Sequence, residues 1–122
     1  MPDWTVVYDS QGAARLRIRD DGAVFDFDGA ARGFLHEDSI YLYDGTHAGW
    51  VRDGYITDHD GYAVGFTEGA RGGPLRPVRQ VKPVPAVPQV PSVKGVRQVR
   101  PIRPIKQLHW SDQDVDDLLP FD

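Results

Sequence analysis

The chain has 122 residues, with 14 Lys and Arg against 18 Asp and Glu, a formal charge of −4, and no cysteine. Its length fits one small domain, and the lack of cysteine excludes a disulfide framework, a thiolate nucleophile and a Cys-based metal site. No apolar stretch approaches the ~18 residues of a membrane-spanning helix, and Met1-Pro2-Asp3-Trp4 lacks the basic and apolar regions of a signal peptide, so the expected location is the cytoplasm.

The charge divides sharply along the chain. Residues 1–70 carry 5 basic and 13 acidic residues, 71–110 carry 9 basic and no acidic ones, and 111–122 carry 5 acidic and no basic ones. Eleven of the 13 aromatics fall between Trp4 and Phe66, and eight of the ten prolines between Pro74 and Pro104. These shifts divide the chain into a domain at 1–70, a tail at 71–110 and an acidic end at 111–122. A core of ~70 residues is marginal without further support.

Within the first part, three segments align without gaps at a spacing of 16: Phe27-Asp28-Gly29 with Gly33-Phe34, Tyr43-Asp44-Gly45 with Gly49-Trp50, and His59-Asp60-Gly61 with Gly65-Phe66. A fourth copy, Tyr8-Asp9-Ser10-Gln11-Gly12, precedes them and reads as having two extra residues in its turn. Asp-Gly between β-prone runs predicts a two-residue type I′ hairpin turn. Second turn signals follow at Asp20-Asp21-Gly22, Glu37-Asp38-Ser39 and Arg52-Asp53-Gly54. The expected fold class is therefore all-β: four hairpin repeats, about eight short strands, closed into a shallow pseudo-four-fold ring that removes strand edges.

Closure would gather equivalent residues into rings. One candidate set is Tyr8, Phe27, Tyr43 and His59; another is Phe34, Trp50 and Phe66, with Arg17 or Ile18 in the fourth place. A set facing the axis would form an aromatic plug or a shallow pocket for a small apolar or lipid-like ligand. The plainer expectation is the core of a small barrel.

After Gly72-Gly73-Pro74 an aliphatic residue falls at every third position from Leu75 to Leu108, including Val78, Val81, Val84, Val93, Val96, Val99, Ile102 and Ile105. The next column holds Arg76, Arg79, Lys82, Lys94, Arg97, Arg100, Arg103 and Lys106, with Pro85, Pro88 and Pro91 between. A period of three is that of polyproline II, which at about 3.1 Å per residue would extend this stretch ~100 Å. A 70-residue globule has a radius of gyration of only ~11 Å, so the tail must fold back, wrap a neighbour or project. Pro85–Pro91 or Gly95 could mark a bend, and the aliphatic column is expected to be packed. At the end of the chain, Ser111 reads as the N-cap of a short helix, and Trp110, Leu118, Leu119 and Phe121 as a docking segment. The acidic end is a candidate to pair with the basic column.

With hairpins and tail together, the chain resembles the bacterial four-fold beta flower family. The residues that carry the likeness are Tyr43-Asp44-Gly45 with Gly49-Trp50, Asp58-His59-Asp60-Gly61-Tyr62, Phe66-Thr67-Glu68 and Gly72-Gly73-Pro74. The resemblance covers nearly the whole length and implies a shallow closed ring of hairpins. It implies no activity.

Chemistry is sparse. Asp58 and His59 alternate faces on a strand, Asp60 belongs to a turn, and His36 and His47 stand outside any catalytic or metal spacing. No phosphate loop or nucleophile elbow is present. The expectation is a non-enzymatic assembly module without cofactor, whose tail packs on its own domain or on a neighbouring protomer of an oligomer. Two alternatives are binding of the basic column to nucleic acid or an anionic membrane, and the apolar ligand in the aromatic ring.

Overall fold

The computed structural model describes residues 4–120. Eight strands follow one another: β1 (Trp4–Tyr8), β2 (Ala14–Arg19), β3 (Ala23–Asp26), β4 (Ala31–His36), β5 (Ser39–Tyr41), β6 (His47–Arg52), β7 (Tyr55–Thr57) and β8 (Ala63–Phe66), then one helical turn, α1 (Val115–Leu118). Each strand pairs antiparallel with its neighbours in sequence, and β8 returns to β1, closing the barrel. The β8–β1 seam is the thinnest, a single Tyr8–Phe66 register pair.

Four turns, at residues 9–13, 26–30, 42–46 and 58–62, form one rim of the barrel. In each, the first residue donates its N–H to the carbonyl of the fifth, as from Asp9 to Ala13 at 2.9 Å, while the glycine N–H returns to the first carbonyl. Only the glycines, Gly12, Gly29, Gly45 and Gly61, have positive φ, +82° to +97°. These are three-residue bulged turns, not the type I′ turns expected from Asp-Gly. Type I′ occurs instead on the other rim at Asp53-Gly54, where both residues have positive φ. The first rim turn also carries no insertion. Asp9 stands where Asp26 and Asp58 stand, each with Oδ1 accepting from backbone N–H groups two and four residues on. The extra residue of the first unit lies in the β2–β3 loop, which is one residue longer than Glu37-Asp38 or Asp53-Gly54.

The barrel interior is aliphatic. Val7, Leu16, Ile18, Val24, Ile40, Ile56 and Val64 form one cluster, and Val24, Ile40 and Ile56 each pair across the ladder with a glycine, Gly33, Gly49 and Gly65. The space above two of those glycines is filled from the C-terminal segment, Leu119 over Gly33 and Leu118 over Gly49, while Val7 lies over Gly65. Val115, Leu118 and Leu119 are 3%, 8% and 0% exposed and belong to the same cluster. The acidic end is thus the plug of the barrel.

Asp114 caps α1, not Ser111: its N–H bonds Asp117 Oδ2 at 2.9 Å, and Asp117 N–H returns to its carbonyl. Ser111 instead donates to Asp58 Oδ2 at 2.5 Å. Of the acidic end, Asp114 and Asp116 pair with the barrel and not with the basic column. Arg15 holds Asp114 with two bonds of 2.9–3.0 Å and reaches Asp116 and Asp9, which lowers the Asp114 pKa and raises that of Arg15. Arg32, buried with Asp26 at 2.9 Å, reaches Asp116 and the Leu119 carbonyl. Phe121 lies outside the described residues.

Candidate functional site: the rim and its collar

From Gly72 to Leu108 the chain forms no helix or strand; it runs around the rim. Gln80, Gln89, Gln98 and Gln107 donate their backbone N–H groups to the carbonyls of Gly12, Gly29, Gly45 and Gly61, at 2.8, 2.8, 2.8 and 3.0 Å. One tail glutamine meets each rim turn, and the glutamines recur every nine residues. A second bond is made at two of the turns, from Ala86 to Phe27 and from Gly95 to Tyr43. The corresponding positions at the other two are Pro77 and Pro104, which have no N–H to give. Any side chain on a rim glycine would collide with the carbonyl of Val78, Val87, Val96 or Ile105. Gly95 likewise lies against the Asp44 backbone, so it serves close approach and marks no bend.

This path settles which columns face the barrel. On the cationic side, Arg79 pairs with Glu68 at 3.2 Å, Arg100 and Arg103 with Asp38 at 2.6 and 2.8 Å, and Lys106 with Asp53 at 2.7 Å, lowering the Asp53 pKa. Arg76 reaches the Ala70 carbonyl, and Lys94 lies 4.8 Å over the Phe34 ring. Lys82 and Arg97 make no ion pair among the described residues. The aliphatic column does the opposite of what was expected. Leu75, Val78, Val81, Val84, Val87, Val90, Val93, Val96, Val99, Ile102 and Ile105 are 84–96% exposed, and Leu108 is 64% exposed. The rim offers carbonyls to the tail N–H groups, and the turns of the other rim offer its cations the carboxylates of Asp38, Asp53 and Glu68.

The aromatic sets do not ring the axis either. Strand alternation turns them outward, away from the aliphatic interior, and the tail passes over them. Each member of one set meets one of the other: Tyr8 stacks on Phe66 at 5.5 Å, Tyr43 lies 5.5 Å from Phe34 and His59 5.6 Å from Trp50. Arg17 takes the fourth place, its guanidinium 3.9 Å from the Trp4 ring centroid and 5.8 Å from that of Phe27. Burial lowers the Arg17 pKa. Trp110, of the predicted docking segment, covers the thin seam: it bridges Ala63, packs on Tyr55 and Phe66, and donates from Nε1 to the Leu75 carbonyl at 3.2 Å.

The His59 cluster is the most polar. A cleft of about 470 Å³ lies between His47, Trp50 and His59 on the barrel and Gln98, Val99, Pro101 and Ile102 on the tail. His47 Nδ1 lies 2.9 Å from His59 Nε2 and its Nε2 3.2 Å from Ser39 Oγ, while its backbone N–H bonds the Gln98 side chain. Burial, with His59 beside it, pushes the His47 pKa down from 6.5 to about 4. Two residues after the other rim glycines stand Ala14, Ala31 and Ala63, so His47 is a feature of one turn alone. No group of three or more His, Asp or Glu among the described residues is arranged to hold a metal.

A closed antiparallel barrel whose rim turns carry the chain's own tail and whose interior is plugged by its own C-terminus defines the class. The chain belongs to the 4-fold beta flower protein family, whose model matches residues 5–119. No curated protein and no solved structure matches it. No helix among the described residues is long and apolar enough to cross a membrane.

Proposed function

We propose that this protein is a non-enzymatic interaction module in which a four-fold hairpin barrel displays a polyproline II collar. The cations and backbone N–H groups seat the collar on the rim; the aliphatic column faces outward as the binding surface for a protein. The observation that carries this reading is the exposure of all twelve aliphatic side chains of one column. The pairing of Arg79, Arg100, Arg103 and Lys106 with the barrel weighs against nucleic acid or anionic lipid as the ligand of the cationic column.

The lack of native cysteine makes the test direct. Single cysteines at Val81, Val90 or Ile102 are expected to react with a maleimide as fast as in unfolded chain when the protein is dilute. Cysteines at Arg100 or Arg103 should react several-fold more slowly. The reverse order would show the aliphatic column turned inward and overturn the proposal. A second reading, favoured by the His47–Trp50–His59 cleft, is a small apolar ligand held there; a saturable change in Trp fluorescence, lost in Trp50→Leu, would be its sign.

A further inference from the structure

We infer that the partner is a second copy of this chain, paired through the uncharged stretch Val84–Val93 of the two collars. This rests on the outward-facing column proposed above. Three observations converge on that stretch.

The first is charge. From Pro83 to Val93 there is no Lys, Arg, Asp or Glu, whereas basic residues recur on both sides, at Arg79 and Lys82 before it and Lys94 and Arg97 after. Two copies meeting here bring no like charges together within the stretch, and like charges adjoin only at its two edges, where Lys82 and Lys94 stand. From Leu75 to Val81 and from Val93 to Ile105 each aliphatic of the column is followed by Lys or Arg.

The second is spacing. On a three-residue turn with a rise of about 3.1 Å, side chains of one column stand ~9.3 Å apart. A strand repeats one face at about 6.6 Å and a helix recurs near 5.4 Å, so either would fall out of step with the column within two or three contacts. A second collar has the same pitch and stays in step along its length. Read in reverse, the stretch Val84–Val93 still puts valine opposite valine, while each proline meets Ala86, Gln89 or Ser92. It can therefore meet itself antiparallel about a two-fold axis, the arrangement of a closed dimer.

The third is exposure and area. Val84, Val87, Val90 and Val93 are 93%, 86%, 94% and 94% exposed. With the intervening prolines they offer on the order of 500 Å² per copy, below the ~800 Å² per partner of a standard stable interface. The contact is accordingly weak and depends on concentration.

The test is sedimentation of the full chain over a dilution series. The native weight-average mass is expected to rise toward twice that of the chain as concentration increases. Val87→Asp/Val90→Asp should stay at the mass of one chain over the same range, while Ile102→Asp, elsewhere on the same column, should associate as the native chain does. All three should melt alike, because the changed side chains are exposed. A native chain that stays single throughout, or a double variant that associates as the native does, overturns the inference. Maleimide labelling of Val90→Cys in the same dilute samples separates the two ideas: fast labelling of a protein that never associates refutes self-pairing but leaves the outward column standing, and slow labelling of a single chain refutes both.

Discussion

The buried His47 makes stability depend on pH in a defined window. Its ring is 3% exposed, with Nδ1 facing His59 and Nε2 facing Ser39. Arg100 adds to the cost of a positive charge there, and Asp38 offsets part of it. The pKa is about 4 in the folded chain, against an ordinary 6.5. Below 6.5 the unfolded chain takes up a proton that the folded chain refuses. Stability is therefore complete above pH ~6.5, falls as pH drops through that value and reaches its lower level near pH 4. At about 1.4 kcal/mol per pH unit of difference the full loss is roughly 3 kcal/mol, reduced to about 2–3 because the cleft admits solvent from the tail side. The carboxylates held below their ordinary range, Asp21, Asp44, Asp53 and Asp114, lose their contribution only below pH ~4, so they do not produce a fall between pH ~6.5 and ~4. The assay is urea unfolding followed by tryptophan fluorescence at half-unit pH steps, on the native chain and on His47→Ala, which copies the alanine of the other three turns. The variant is expected to start less stable but to show a flat profile in that interval. A flat native profile, or an equal fall in the variant, would refute the assignment.

Two further outcomes follow from the rim and the plug. Gly45→Ala places a methyl group against the Val96 carbonyl and forces φ of +97° on alanine. It should cost about 1–3 kcal/mol and raise amide exchange at Gly95 and Gln98 while leaving Gln80 protected; uniform exchange along the tail would show that the collar is not seated turn by turn. Leu119→Ala empties a fully buried position of the plug and should cost about 2–5 kcal/mol in denaturant unfolding, whereas a loss below about 1 kcal/mol would mean that the C-terminus does not fill the barrel.

The barrel itself was legible because its signals are local. Asp-Gly and the secondary turn residues mark every reversal, and β-branched runs lie between them, so eight strands and closure follow without tertiary information. The turn type was not legible from Asp-Gly: in three of the turns Asp9, Asp26 and Asp58, three places before the glycine, hold the loop through Oδ1, and the fourth takes the same form with Leu42 in that place. Aligning on those residues instead of on Asp-Gly removes the apparent insertion at Ser10-Gln11. The collar was hidden by a different error of scale. The ~100 Å of tail was compared with the width of the domain, which it overshoots, when the relevant length is the circumference. Three steps of nine residues separate the four glutamines; at the polyproline II rise expected of the tail, about 3.1 Å, they span ~84 Å, about three quarters of the way round a body of ~18 Å radius. The signal that would have found it is the recurrence of Gln80, Gln89, Gln98 and Gln107 within the small-residue column. The plug was out of reach for a related reason: Leu118 and Leu119 look like an exposed terminal motif until the glycines opposite Val24 and Ile40 are seen to leave room for them.

The orientation of the collar follows from what the rim can offer. Folding leaves carbonyls at each glycine of the first rim and carboxylates at Asp38, Asp53 and Glu68 toward the other, while aromatic pairs already fill the apolar spaces between hairpins. A tail seated on such a surface gains most by turning its N–H groups and cations inward. The columns of a period-three chain cannot all face the barrel, and the aliphatic one is the column left exposed. Leaving them in water forfeits a hydrophobic term that, at about 25 cal/mol per Å², amounts to tens of kcal/mol for the whole column. A solvated linker has no need of twelve branched aliphatics in unbroken register, since Ser or Gln would serve the period equally and dissolve better. The column therefore makes physical sense as a surface to be covered, and its one uncharged stretch is where the covering meets the least electrostatic resistance.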